Sequence, residues 1–152
     1  MGYGRSGSTA LDILLNSHPD VVSVGALNNI YRWILEKQNC ACGETICECD
    51  FWRKIVSKHC DGVYKDASFS KKVEEHLAVQ DNVERMSKYS SVLLDKVPSD
   101  LRTRYERQMD DLLCQIADAS GGCFVVDSSK STRDCTGRPL ALYRYSSVNL
   151  KV

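Results

Sequence analysis

Apolar positions recur at helical spacing in several stretches of the chain, and short β-branched runs lie between them. Leu11, Leu14 and Leu15 share one face of a helix predicted over roughly Ser8 to Asn16. His18-Pro19 stops that helix, because the residue before proline avoids the helical region. Val21-Val22-Ser23-Val24 predicts a short buried strand, broken by Gly25. Leu27, Ile30, Tyr31, Ile34 and Leu35 predict an amphipathic helix from Ala26 to about Lys37. Residues 39–50 are irregular, and Phe51 to His59 is expected to form another short helix. Residues 61–92 are polar with scattered apolar positions and read as helix plus loop. Pro98 precedes a strong helix, about Asp100 to Ala119, on which Leu101, Tyr105, Met109, Leu112 and Ile116 fall on one face. Gly121-Gly122 ends it, since glycine accepts the left-handed conformation there. Cys123-Phe124-Val125-Val126 reads as a second buried strand running into Asp127-Ser128-Ser129-Lys130. The tail is coil or helix until Val148, Leu150 and Val152, which look like the start of a third strand.

Strands separated by helices, with only short apolar runs, imply an α/β fold with a parallel sheet covered on both faces. A glycine-rich loop normally hangs from the carboxyl end of a strand. Here only Met1 precedes the glycine-rich stretch, and the chain stops inside an apparent strand. The expectation is a single partial domain over residues 1–152, without its first strand and its C-terminal part, and with a Cys-rich insertion at about 39–52.

Composition narrows the function classes. The chain has 152 residues, 20 Lys plus Arg, 20 Asp plus Glu and no net charge. That balance argues against bulk-charge binding of nucleic acid or of an anionic membrane, and leaves room for one anion pocket. Hydrophobic residues at 43% and charged residues at 26% are globular composition. The amino end has no apolar signal core, and no apolar run approaches the ~20 residues of a membrane helix. Eight Cys are too few for a disulfide scaffold of this size. The expectation is a cytoplasmic protein with reduced thiols, without nucleic-acid or membrane partners.

The candidate chemistry sits at the amino end. Gly4 and Gly7 permit close approach of a ligand, Ser6, Ser8 and Thr9 add hydroxyls, and Arg5 adds a fixed charge. Unpaired N–H groups and the positive end of a helix dipole favour an anion there. The competing reading is a tight turn with a Ser or Thr cap. Gly2-x-Gly4-x-x-Gly7 formally matches a dinucleotide loop, but Gly25-Ala26-Leu27 supplies no acidic residue after the next strand. A nucleotide P-loop needs Gly-Lys-Ser/Thr, and the first Lys is Lys37.

Gly4-Arg5-Ser6-Gly7-Ser8-Thr9, followed by Leu11, Leu14-Leu15, His18-Pro19 and Val22-x-x-Gly25, resembles the 5′-phosphosulfate loop of sulfotransferases of the bacterial type. Cys40-Ala41-Cys42-Gly43 with Cys49-Asp50-Phe51-Trp52 is similar to a Cys-x-Cys-Gly…Cys-x-Phe-Trp stretch of many bacterial members. Phe124 to Lys130 is similar to their second strand and its exit loop. The resemblance implies a P-loop-NTPase-like parallel sheet flanked by helices. It implies transfer of a sulfuryl group from 3′-phosphoadenylyl sulfate to a hydroxyl or amine, on a small-molecule or carbohydrate acceptor. It also implies that Arg5 stabilises charge on the leaving phosphate, while Ser6, Gly7, Ser8 and Thr9 hold the 5′-phosphate.

Several positions depart from that pattern. The family's 3′-phosphate segment is expected just past Val152. Many relatives carry Glu after the glycine matching Gly25, as a candidate general base, whereas this chain has Ala26. Asp127 and Lys130 are candidate catalytic substitutes, because a parallel strand delivers its exit residues to the ligand crevice; the alternative is a solvated loop or cap. His18 is expected to be a structural helix-end residue, Arg133 and Arg138 solvated, and His59 and His76 without assigned roles. Cys40, Cys42, Cys47 and Cys49 place four thiols within ten residues and are the alternative metal set, for zinc; packing thiols or redox disulfides compete. Cys114 and Cys123 are expected to fill core space, with Cys60 and Cys135 isolated. A second functional reading is therefore a small zinc-bound interaction module on the Cys cluster, with the glycine loop as a plain turn. A kinase or NTPase comes third, for want of the loop lysine.

Overall fold

A computed structural model describes residues 7–60, 66–86, 95–122, 124–129 and 137–149. The described chain is α/β and mostly helical: α1 (Ser8–Leu15), β1 (Val21–Ser23), a 3-10 turn (Leu27–Asn29), α2 (Ile30–Leu35), α3 (Asp50–His59), α4 (Ala67–Met86), α5 (Ser99–Ser120), β2 (Phe124–Val126) and α6 (Gly137–Tyr145). β1 and β2 pair in parallel, with Val21 opposite Phe124, Val22 opposite Val125 and Ser23 opposite Val126. A parallel pair requires a crossover, and α2 to α5 form it. The ladder continues past both strand ends: Phe124 N donates to Asp20 O at 2.9 Å, and Ser128 N to Gly25 O at 2.9 Å.

The core lies among the helices. Tyr31 and Ile30 of α2, Ile55 and Val56 of α3, Val73 and Val83 of α4, Met109, Leu112 and Ile116 of α5 and Ala141 of α6 are all buried. Gly137 opens α6 hard against α4; a Cβ on it would meet the Glu84 carbonyl oxygen at 2.0 Å. That close approach locks α6 onto α4 and fixes where the following Arg138 points. Gly121, with φ at 67°, ends α5 as expected. Among the described residues, no helix is long and apolar enough to cross a membrane.

Three expectations change. The helix foreseen over Ala26 to Lys37 splits into the 3-10 turn and α2, because tertiary partners take its early backbone groups. Asp127 Oδ1 accepts from Leu27 N (3.2 Å), Ser129 Oγ from Asn28 N (2.9 Å), and Gln80 Nε2 donates to Asn28 O (2.7 Å). The sheet is not fully covered among the described residues. α1 lies along β1 and α5 along β2, yet Leu11, Ile13, Leu14 and Phe124 are exposed. Cys114 is exposed on α5 and does not fill the core; its position faces away from the Met109–Leu112–Ile116 stripe. Cys123 and Cys135 lie outside the described residues, as do residues 150–152 of the third strand expected from Val148; Val148 itself stands in a bend.

Candidate functional site

Gly7 caps α1 with φ 76° and ψ 9°, a left-handed conformation that glycine adopts without strain. Among the described residues no side chain caps this helix start. Among the described residues, nothing lies within 4 Å of where a Cβ on Gly7 would stand.

Polar clips fix the direction of α1. Asn16 grips the β1 end at both backbone groups, accepting from Ser23 N at 2.6 Å and donating to Ser23 O at 3.1 Å. One turn earlier, Asp12 accepts from Ser23 Oγ (2.5 Å) and from Ser128 Oγ (2.7 Å), two residues beyond β2. The helix therefore climbs from the last residue of β1 past the exit of β2. Its amino end rises beyond the carboxyl ends of both strands, the edge where parallel α/β sheets bind ligands. Gly25, with φ at 70°, turns the chain sharply at the β1 exit. Ser8 and Thr9 open α1, and Arg5, Ser6 and Lys130 lie outside the described residues.

Asp127 stands at the β2 exit, with both carboxylate oxygens engaged. Oδ1 accepts from Leu27 N and Ser129 N (2.9 Å) and from the Ser129 hydroxyl; Oδ2 accepts from Arg138 Nε at 2.9 Å. Arg138 is buried at 7% exposure, against the sequence expectation of a solvated residue. Its Nη1 donates to Glu84 Oε1 at 2.8 Å, and the Tyr105 hydroxyl donates to the same oxygen at 3.1 Å. Burial works against the Arg138 charge, but Asp127 and Glu84 outweigh it and raise its pKa. Burial pushes the Glu84 carboxyl above its ordinary value despite Arg138, Tyr105 and Gln80. The network fastens the strand exit to α4, α5 and α6. It makes Asp127 an anchor of the β2 exit, with both carboxylate oxygens held by protein donors.

The Cys-rich segment gathers three of the four expected thiols. The sulfur atoms of Cys40, Cys42 and Cys49 all lie within 4.8 Å of one another, a group able to hold a metal ion. Cys47 is buried apart from them, and burial with the Glu48 charge pushes its thiol up to about 11. Burial alone would raise Cys49 too; the Trp52 N–H, the Cys40 and Cys42 thiols and the Phe51 N–H overcome it and hold the pKa below the ordinary thiol value. Cys40, Cys42, Cys47, Cys49 and Cys114 are free thiols.

Sequence reasoning missed a buried histidine cluster. His59 at the end of α3 donates from Nδ1 to Asp111 Oδ2 at 2.6 Å, and its Nε2 lies 2.7 Å from the Tyr31 hydroxyl and 3.1 Å from His76 Nδ1. A cleft of about 460 Å³ opens above it, with Lys72 and His76 of α4 facing Arg104, Arg107 and Asp111 of α5. Burial, then the neighbouring His59 and Lys72, lower the His76 pKa to about 4. The signal was present in the i, i+4 step from Lys72 to His76, but nothing in the sequence pointed from His76 to His59, 17 residues away, or from His59 to Asp111, 52 residues away. His18, by contrast, is the helix-end residue expected: its Nδ1 accepts from Asp20 N at 3.2 Å.

Compared with protein-family models, with curated proteins and with solved structures, the chain matches none.

Proposed function

We propose that this chain is a cytoplasmic, sulfotransferase-like protein. It binds 3′-phosphoadenylyl sulfate at the start of α1 and delivers the sulfuryl group to a hydroxyl or amine of a small molecule or carbohydrate. The observation that carries this reading is the left-handed Gly7 turn, uncapped by any side chain among the described residues, at a helix start clipped to the carboxyl ends of two parallel strands through Asp12 and Asn16. The ordered resemblance of three sequence segments to sulfotransferases supports it independently.

In this reading the N–H groups following Gly7 and the hydroxyls of Ser6, Ser8 and Thr9 hold the 5′-phosphate, helped by the helix dipole. Arg5 meets charge building on the bridging oxygen as the sulfur–oxygen bond to phosphate breaks. A new bond forms from sulfur to the acceptor, the acceptor proton passes to water, and adenosine 3′,5′-bisphosphate departs. Ala26 takes no proton, and Asp127 is already committed to Arg138. Asp127 thus acts by positioning the exit loop.

Titration of adenosine 3′,5′-bisphosphate into the purified chain tests this. Saturable binding is expected, weakened roughly tenfold or more in Arg5→Ala by loss of a charge-assisted contact worth ~1.5–3 kcal/mol. Absence of binding at millimolar nucleotide would overturn it. The second reading, an interaction module on the Cys cluster, draws on the grouping of Cys40, Cys42 and Cys49; it predicts no nucleotide binding at all.

A further inference from the structure

We propose that Cys40, Cys42 and Cys49 bind one zinc ion through three thiolates, with the fourth coordination position open on the solvent side. The segment is built to converge these sulfurs. Asn39 and Thr45 form an antiparallel bridge, Cys40 N donates to Glu44 O at 2.7 Å, and Gly43 N donates to Cys40 O at 2.9 Å. Gly43, with φ at 96°, makes the tight reversal that folds Cys42 back beside Cys40. Cys49 N then donates to Thr45 O at 2.8 Å, which brings the start of α3 onto the same hairpin. A tetrahedral zinc with bonds of ~2.3 Å sets its sulfurs about 3.8 Å apart. The observed limit of 4.8 Å is within one short contraction of a loop of that spacing.

A disulfide would use two of these thiols and strand the third, whereas all three lie mutually close. Thiolates select a soft ion over magnesium or calcium. No fourth Cys, His or carboxylate among the described residues completes the group, and Cys47 is turned into the core at 4% exposure. The set grades from buried Cys49 through half-buried Cys40 to exposed Cys42, so the vacant position faces water. On binding, each thiol gives its proton to solvent and no electron is transferred. Water fills the fourth position. The ion ties the 39–49 hairpin to the head of α3 and is independent of the α1 crevice, so zinc content and nucleotide binding report separately.

The test measures zinc by mass spectrometry in the full chain purified without chelator. One zinc per chain is expected, falling below one tenth in Cys40→Ser, Cys42→Ser and Cys49→Ser, and unchanged in Cys47→Ala and Cys114→Ser. Because a serine variant can lose its fold along with the metal, cobalt substitution of the wild-type chain gives a second readout. X-ray absorption should count three sulfurs and one lighter atom around the ion. Zinc absent from the wild-type chain, a disulfide joining two of the three cysteines in reduced preparations, or four sulfurs at the metal would each overturn the proposal.

Discussion

Replacing Arg138 by Met removes the cation that joins Glu84 to Asp127. The two carboxylates are 14% and 18% exposed at the side chain, so neither gains much water in compensation. Removing one partner of a buried ion pair costs about 3–5 kcal/mol, most of it from the charge left behind. For a domain of this size, ~2–4 °C of melting temperature per kcal/mol gives a drop of roughly 6–20 °C. The penalty should also depend on pH in a defined direction. Burial already raises the Glu84 carboxyl, with Arg138 opposing; without the guanidinium it rises further. A carboxyl whose folded pKa exceeds its unfolded one is proton-hungry in the native state. Its favourable contribution is present at low pH and lost as pH rises through the folded value. Urea unfolding of wild type and Arg138→Met should therefore show the widest gap near neutrality and a narrower one near pH 5. Glu84→Gln in the Arg138→Met background should recover part of the loss at pH 7.5. A variant as stable as wild type, or a gap that widens on acidification, would refute the buried-network account.

Other outcomes follow from the same geometry. Gly137→Ala drives a methyl group into the Glu84 carbonyl and should cost at least the ~1–3 kcal/mol of an overpacked core, read as a fall in the urea midpoint. Gly7→Ala meets no neighbour among the described residues and should cost only about 1–2 kcal/mol of backbone strain, while adenosine 3′,5′-bisphosphate affinity falls further than stability does. Asp12→Ala removes two hydroxyl partners at the strand exits; thermal stability should drop by roughly 1–2 kcal/mol and nucleotide affinity with it, as α1 loses its aim. His76, lowered to about 4, is neutral at pH 7 and resists protonation in the fold. Its share of stability is full above the unfolded histidine value near 6.5 and is lost as pH falls toward 4, so His76→Gln should flatten the acid limb of a stability–pH curve.

The local rules carried far along this chain. His18-Pro19 ended α1, the Leu101–Ile116 stripe gave α5, Gly121 closed it, and the two β-branched runs became parallel strands. Each of those signals is complete within a few residues. The misreadings share a different cause. Ala26 to Lys37 has helical periodicity, but its first turn is reshaped by Asp127 and Ser129, about 100 positions away. Arg138 looks like a surface residue until Glu84 and Asp127 are brought to it. His59 looks idle until Tyr31, His76 and Asp111 close around it. Of four clustered cysteines, the spacing alone could not say that Cys47 faces the core, because that depends on where α3 begins. Long-range pairing of buried polar groups is therefore where sequence reading ran out, and it governs the crevice wall and the histidine cleft alike.

The reading of the amino-terminal loop is tested most directly by amide chemical shifts of the labelled chain during titration with 3′-phosphoadenylyl sulfate. Binding at the α1 start should move the amides of Gly7 to Leu11 first, with those of Ser128 and Ser129 responding alongside. Shifts confined to the cleft between α4 and α5, or no shifts at saturating donor, would contradict it.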